Sequence, residues 1–244
     1  YRPTRDLSLP IVEASELPGI TATAIDDPWL VANEGSSRWD LYFTVRTSEN
    51  DSSIARISSG ASFDNGFDYG TFEVVAEPIS GFPKMEMPSV VGDEMIARAA
   101  NVDLGILVRL DRDGSGPFTL VGGSTDTARI HGPDFDNVFA MDRDEVADPA
   151  LVEFGGVKRL YFAGRSGTRW RVGLLVSIGG QDWYQPLFDD PVWKLDDIGF
   201  DALQARDPAP LVDNGQVSIL YIGGDGTGNE SVGRAYSGSP AEWP

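Results

Sequence analysis

Asp148-Pro-Ala-Leu-Val152, the turn Gly155-Gly156, Arg159-Leu-Tyr-Phe-Ala163, Arg171-Val-Gly-Leu-Leu-Val-Ser177 and Gly179-Gly-Gln-Asp-Trp183 form the stretch that decides the fold. Three apolar runs of strand length are separated by glycine-rich turns, which predicts antiparallel hairpins. The same order returns as Asp207-Pro208, Leu211-Val212, Ile219-Leu-Tyr-Ile222, Ser231-Val-Gly-Arg-Ala-Tyr-Ser237 and Trp243. It is also present as Asp27-Pro28, Leu30-Val31, Asp40-Leu-Tyr-Phe-Thr44, Ser53-Ile-Ala-Arg-Ile-Ser58 and Phe63. A fainter copy runs through Glu86-Met87-Pro88, Val90-Val91, Met95-Ile-Ala-Arg98 and Leu104-Gly-Ile-Leu-Val-Arg-Leu110. Pro28, Pro88, Pro149 and Pro208 are 60, 61 and 59 residues apart. A period this even marks a repeat architecture, and short strands in every repeat make it an all-β propeller.

Four blades of about 60 residues, with repeats starting near 27, 86, 148 and 207, account for 244 residues as a single domain. A five-bladed protein lacking one blade reads the same way. Residues 1–26 supply a linker and one more extended segment, Leu7-Ser-Leu-Pro-Ile-Val12. Its counterparts are the fourth strands Thr71-Phe-Glu-Val-Val-Ala76 and Tyr184-Gln-Pro-Leu-Phe188. The last repeat lacks such a strand, so the N-terminal segment is expected to close the ring and leave no open edge. No helix is expected. The longest connection, 121–147, holds the only histidine, His131, read as a loop residue.

Composition narrows the chemistry. Without cysteine there is no disulfide, thiolate metal site or cysteine nucleophile. A net charge of −19 makes nucleic acid and anionic membranes poor partners. No run approaches the length of a membrane span, so no membrane insertion is expected. An acidic, cysteine-free, repeat-built chain points to an extracellular or secreted protein, with further domains of a larger chain as possible partners.

Asp-Pro followed by an apolar strand, a turn, Leu-Tyr-Phe and then Ser-x-Gly-Gly-x-x-Trp resembles the five-bladed propeller glycosidases of families 43, 32 and 68 and the related mannoside phosphorylases. The resemblance implies carboxylates around a central axis where an oligosaccharide or polysaccharide enters: here Asp27, Glu86, Asp148 and Asp207. It implies Asp27 as base or nucleophile and Asp148 as the aspartate that tunes the acid. Glu86-Met87-Pro88 has the Glu-x-Pro spacing of the family's acid, and Arg206-Asp207-Pro208 the Arg-Asp-Pro of its sucrose-splitting members. Glycoside cleavage needs one carboxylic acid for the leaving oxygen and a second carboxylate roughly 5–5.5 Å away for retention or 6.5–9.5 Å for inversion. Trp29, Arg206 and His131 are candidate substrate contacts, Trp29 by stacking on a sugar face or, equally, by packing in the core.

Two other readings of the four acids stand beside this one. An Asp before Pro also starts a turn and accepts backbone N–H bonds. A ring of carboxylates also suits a hard cation such as calcium, although no cofactor is required. Arg56, Arg98 and Arg234 are expected to pair with inner carboxylates and hold blades together. The function is therefore read as a carbohydrate-active propeller acting on or binding a glycan, or as a non-catalytic glycan-binding or protein-interaction module.

Overall fold

The computed structural model describes residues 11–33, 37–60, 66–137, 140–180, 182–187, 190–193, 200–213 and 216–236. The structure is almost wholly β, and its contacts divide it into two compact units. Unit 1 comprises Tyr1–Asp103 and Arg109–Ala128; unit 2 comprises Leu104–Val108 and Arg129–Pro244. The closing strand expected before Ile11, together with Phe63, Phe188 and Trp243, lies outside the described residues.

In unit 1, β1 (Ala24–Ala32), β2 (Trp39–Arg46), β3 (Ser52–Ser59) and β4 (Phe67–Ala76) form an antiparallel meander. β5 (Lys84–Val91) and β6 (Glu94–Ala100) form the next hairpin, joined to β3 by one parallel pair, Ser52 with Lys84. β7 (Gly105–Asp111) is divided between the units, and its end pairs with β8 (Thr119–Leu120) in unit 1. A single helical turn, α1 (Thr125–Ala128), follows, where no helix was expected. The first part of β7 pairs in unit 2 with β9 (Arg129–His131), so His131 is a strand residue rather than a loop residue.

Unit 2 continues with β10 (Glu145–Phe154), β11 (Val157–Ser166) and β12 (Arg169–Ile178), then β13 (Gln204–Asp213), β14 (Gln216–Gly224) and β15 (Glu230–Tyr236). Each trio is antiparallel, and one parallel pair, Trp170 with Gln204, links them. The expected fourth strand after Trp183 is reduced to a single bridge between Tyr184 and Val176. Gly155 and Gly156 turn β10 into β11 with φ of 62° and 74°, the two positive values that a two-residue hairpin of matching twist demands.

The second strands are covered on both faces and so read as unbroken apolar runs. Phe43, Thr44 and Val45 are fully buried, as are Leu160, Phe162 and Ala163 in unit 2. Leu17 packs with Phe43, Val45, Ala55 and Ile57, and Val12, Ile20 and Ala22 lie against that cluster. In unit 2 a large ring covers a glycine across the ladder, Phe162 opposite Gly173 and Tyr221 opposite Gly233. A methyl group at Gly173 would collide with Phe162 and Met141, so the absence of a side chain there is a packing requirement.

The proline-marked steps share one irregularity. Pairing of the first strands slips between Asp26 and Trp29, Glu86 and Ser89, Ala147 and Ala150, and Arg206 and Ala209. In each case two residues oppose one, a β-bulge, and the second of the two is a proline that has no N–H to leave unpaired. The residue before it is left-handed: φ is 53° at Asp27, 56° at Met87, 49° at Asp148 and 52° at Asp207. Among the described residues these are the non-glycine positions with positive φ. Such a conformation costs roughly 1–3 kcal/mol at each position. Asp tolerates it better than most side chains, which accounts for Asp at three of the four.

This corrects two expectations. The Asp-Pro steps neither start strands nor start turns; each Asp is the fourth residue of its strand. The counterpart of Asp27 in the second repeat is Met87, because the bulge is counted from the proline, and Glu86 corresponds instead to Asp26.

Candidate functional site

Each bulge aims the side chain before its proline out of the regular ladder, and the acids gather there. In unit 1 the Thr44 hydroxyl donates to Asp27 Oδ2 at 2.8 Å and accepts from the Met87 backbone N–H at 3.0 Å. One buried hydroxyl thus joins the carboxylate of one bulge to the amide of the next. In unit 2 Ala163 occupies the place of Thr44, and the Asp207 N–H reaches Asp148 Oδ2 directly at 3.4 Å. Within each unit, then, the side chain at one bulge is linked to the backbone N–H of the other, through Thr44 in unit 1 and directly in unit 2.

Glu86 sits beside this chain and is 2% exposed. Its Oε1 accepts from Arg46 Nη1 at 2.7 Å and Ser52 Oγ at 3.3 Å, and its Oε2 from Arg98 Nη1 at 2.9 Å. Arg46 Nε also donates to Asp26 Oδ2 at 2.6 Å. Arg46 reaches Glu86 because its cross-strand partner is Ala24. The equivalent Arg165 of unit 2 faces Glu145 and pairs with it at 2.9 Å. Both Glu86 oxygens are occupied by guanidinium groups, so Glu86 holds β5 against β2 and offers no oxygen to a substrate.

Asp27 is different. It is partly exposed, and Thr44 is its hydrogen-bond donor among the described residues. Burial raises its pKa above the usual 3.8, and the Asp26 and Glu86 charges add to the rise against the Thr44 hydrogen bond and Arg46. A carboxyl group with a raised pKa and access to solvent can accept hydrogen bonds from sugar hydroxyls or move a proton.

The remaining candidates are placed as follows. Asp148 and Asp207 meet in unit 2, where Arg206 pairs with Asp207 at 3.3 Å and Glu230 at 2.7 Å. The Trp29 ring N–H is spent on the Val90 carbonyl at 3.1 Å, tying β1 to β5. His131 Nε2 lies 2.5 Å from Asp142 Oδ2, with its ring 4.7 Å from that of Phe162. Asp142 is itself buried, which makes this an interior pair. Arg98 pairs with Glu86 as the sequence suggests, whereas Arg56 pairs with Glu73 and Arg234 donates to Ser218. Among the described residues no three acidic or histidine side chains cluster so as to hold a metal.

Sequence reasoning missed Thr44, Arg46 and Asp26. One signal was available: Leu-Tyr-Phe is followed by an Arg three residues on both at Arg46 and at Arg165.

No family model and no curated protein sequence matches the chain. Solved structures do match. An α-L-arabinofuranosidase from Lactobacillus brevis superposes with a TM-score of 0.66 at 13% identity, over 91% of this chain and 74% of that one. The chain has a β-propeller fold similar to that of this enzyme. A family 32 β-fructofuranosidase from Bombyx mori gives 0.59 at 15% identity, over 89% of this chain and 47% of that one. A β-1,2-mannobiose phosphorylase from Listeria innocua gives 0.59 at 12% identity, over 89% of this chain and 59% of that one. The chain thus spans about half of the fructofuranosidase and about three quarters of the arabinofuranosidase. At these identities the likeness is one of fold.

Proposed function

We propose that this chain is a carbohydrate-recognising propeller that engages a glycan through Asp27. The observation that carries the reading is the contrast between the two unit 1 carboxylates. Asp27 is accessible and has a raised pKa, whereas Glu86 is consumed by Arg46 and Arg98. Binding needs one well-placed acceptor; hydrolysis needs an acid and a base together. The fold supports the choice of ligand, since the structural neighbours include hydrolases of arabinosides and fructosides and a phosphorylase bound to mannobiose.

Catalysis is the second reading, favoured by the raised pKa of Asp27, which suits proton transfer. Thermal melting against arabinose, fructose, mannose, xylose and their oligomers, with wild type and Asp27→Asn, tests the first. A ligand that binds only the folded chain raises the midpoint, and Asp27→Asn is expected to reduce that rise. If no sugar shifts the midpoint, or the substitution leaves the shift undiminished, glycan recognition at Asp27 is wrong. Release of chromophore from aryl glycosides by wild type but not by Asp27→Asn would move the assignment to catalysis.

A further inference from the structure

A cavity of about 630 Å³ opens within unit 1, away from the bulges, at the far end of β1. Its size falls in the roughly 300–1,000 Å³ range of small-molecule sites. Asp40, Tyr42, Arg56 and Arg112 line its polar side, and Val31 and Val90 its apolar side. Asp27 does not line it, and Trp29 is turned to the Val90 carbonyl.

The polar groups are held rigidly. Asp40 is 6% exposed and accepts from Ser58 Oγ at 2.6 Å and Asn33 Nδ2 at 3.3 Å. Arg112 donates to Asp93 at 2.9 Å and to the Tyr42 hydroxyl and the Gly92 carbonyl at 3.3 Å each, and its guanidinium lies 5.0 Å over the Phe118 ring. Arg56 is paired with Glu73. Its buried Nε has no hydrogen-bond partner.

These pairings decide what the cavity accepts. Each arginine already has its own carboxylate, so an anion gains no free countercharge and meets Asp40. A cation meets two guanidinium groups. What remains for a ligand is hydrogen bonding: further lone pairs on Asp40 and the exposed Asn33 and Ser115 side chains of the lining, set beside the valine side chains, while the Arg56 Nε is sealed from solvent. Hydroxyls serve such groups as both donors and acceptors, and the C–H face of a ring suits the valines.

We propose that this cavity binds a neutral, hydroxyl-rich ligand of one or two sugar rings, at a site independent of Asp27. The test is amide NMR on the full chain, reading Gly92 and Ser115 at the cavity. Glucose, arabinose, mannose and sucrose are titrated as neutral probes, with glucuronate and glucosamine as charged comparators. A neutral sugar is expected to shift both amides in wild type and equally in Asp27→Asn. Ser115→Trp, at an exposed position on the rim, should block the effect. Shifts at neither amide, shifts that persist unchanged in Ser115→Trp, or stronger binding of either charged comparator each overturn the proposal. Because the Asp27 site is read with its own variant, failure of one site leaves the other standing.

Discussion

Replacing Glu86 by Gln keeps the shape of the side chain and removes its charge, at a site where 3% of the side chain is exposed. Gln retains one oxygen but turns an NH2 toward one of two guanidinium groups. Arg46 keeps Asp26 at 2.6 Å, while Arg98, 15% exposed, loses its carboxylate. Removing one partner from a buried ion pair costs about 3–5 kcal/mol, and the surviving Arg46–Asp26 contact places this case near 3 kcal/mol. For a chain of this size each kcal/mol lowers the melting midpoint by about 2–4 °C, so Glu86→Gln is expected to melt roughly 6–12 °C lower. Calorimetry provides the measurement, repeated in high salt, where a buried pair should be little affected. Adding Arg98→Met should recover part of the loss, because the guanidinium that the neutral side chain no longer matches in charge then disappears. A midpoint within about 2 °C of wild type would refute the assignment of Glu86 to structure, since a pair this buried cannot be so cheap to break.

Three further outcomes follow from the same geometry. Native Asp27 holds its proton more tightly than the unfolded chain does, so its contribution to stability falls as pH rises from 3.8 through the higher folded value; Asp27→Asn should melt above wild type at pH 7 and level with it at about pH 3. Equal differences at both pH values would contradict the raised pKa. At Asp207, φ of 52° tolerates Asn but not a β-branched residue, so Asp207→Asn should be nearly neutral and Asp207→Val should cost about 2 kcal/mol in denaturant unfolding. Equal costs would remove the case for strain. Gly173→Ala, normally a gain in a strand, should instead cost about 1–3 kcal/mol because the methyl meets Phe162 and Met141; an unchanged midpoint would show that the ring and the methionine yield freely.

The fold class was legible because each repeat carries its own turn, its own apolar run and its own proline, all local signals. The bulge was not, because an Asp-Pro step reads equally as a turn until the partner strand shows two residues facing one. Glu86 was placed one residue off for a related reason: the Glu-x-Pro spacing drew attention to the acid, whereas the register follows the proline and therefore selects Met87. The clamp on Glu86 was invisible in sequence. Arg46 and Glu86 are 40 residues apart, and they meet across two hairpins, with Arg46 bound at once to Asp26 on its own hairpin and to Glu86 on the next. His131 shows the same limit, since its strand is defined by pairing with β7 and its contact with buried Asp142 by the fold.

The four bulges also act as parity switches. Asp26 and Trp29 point to the same side of β1 although they are three positions apart, since their partners Thr44 and Tyr42 share a face of β2. Losing or gaining one residue at such a step would exchange inside for outside along the rest of the strand, turning Val31 outward and Leu30 inward. Point substitutions there cost a few kcal/mol at most, whereas a single-codon deletion reverses an entire strand. The fold is therefore more sensitive to the spacing of these positions than to their chemistry, in keeping with Met87 standing where the three other repeats have Asp.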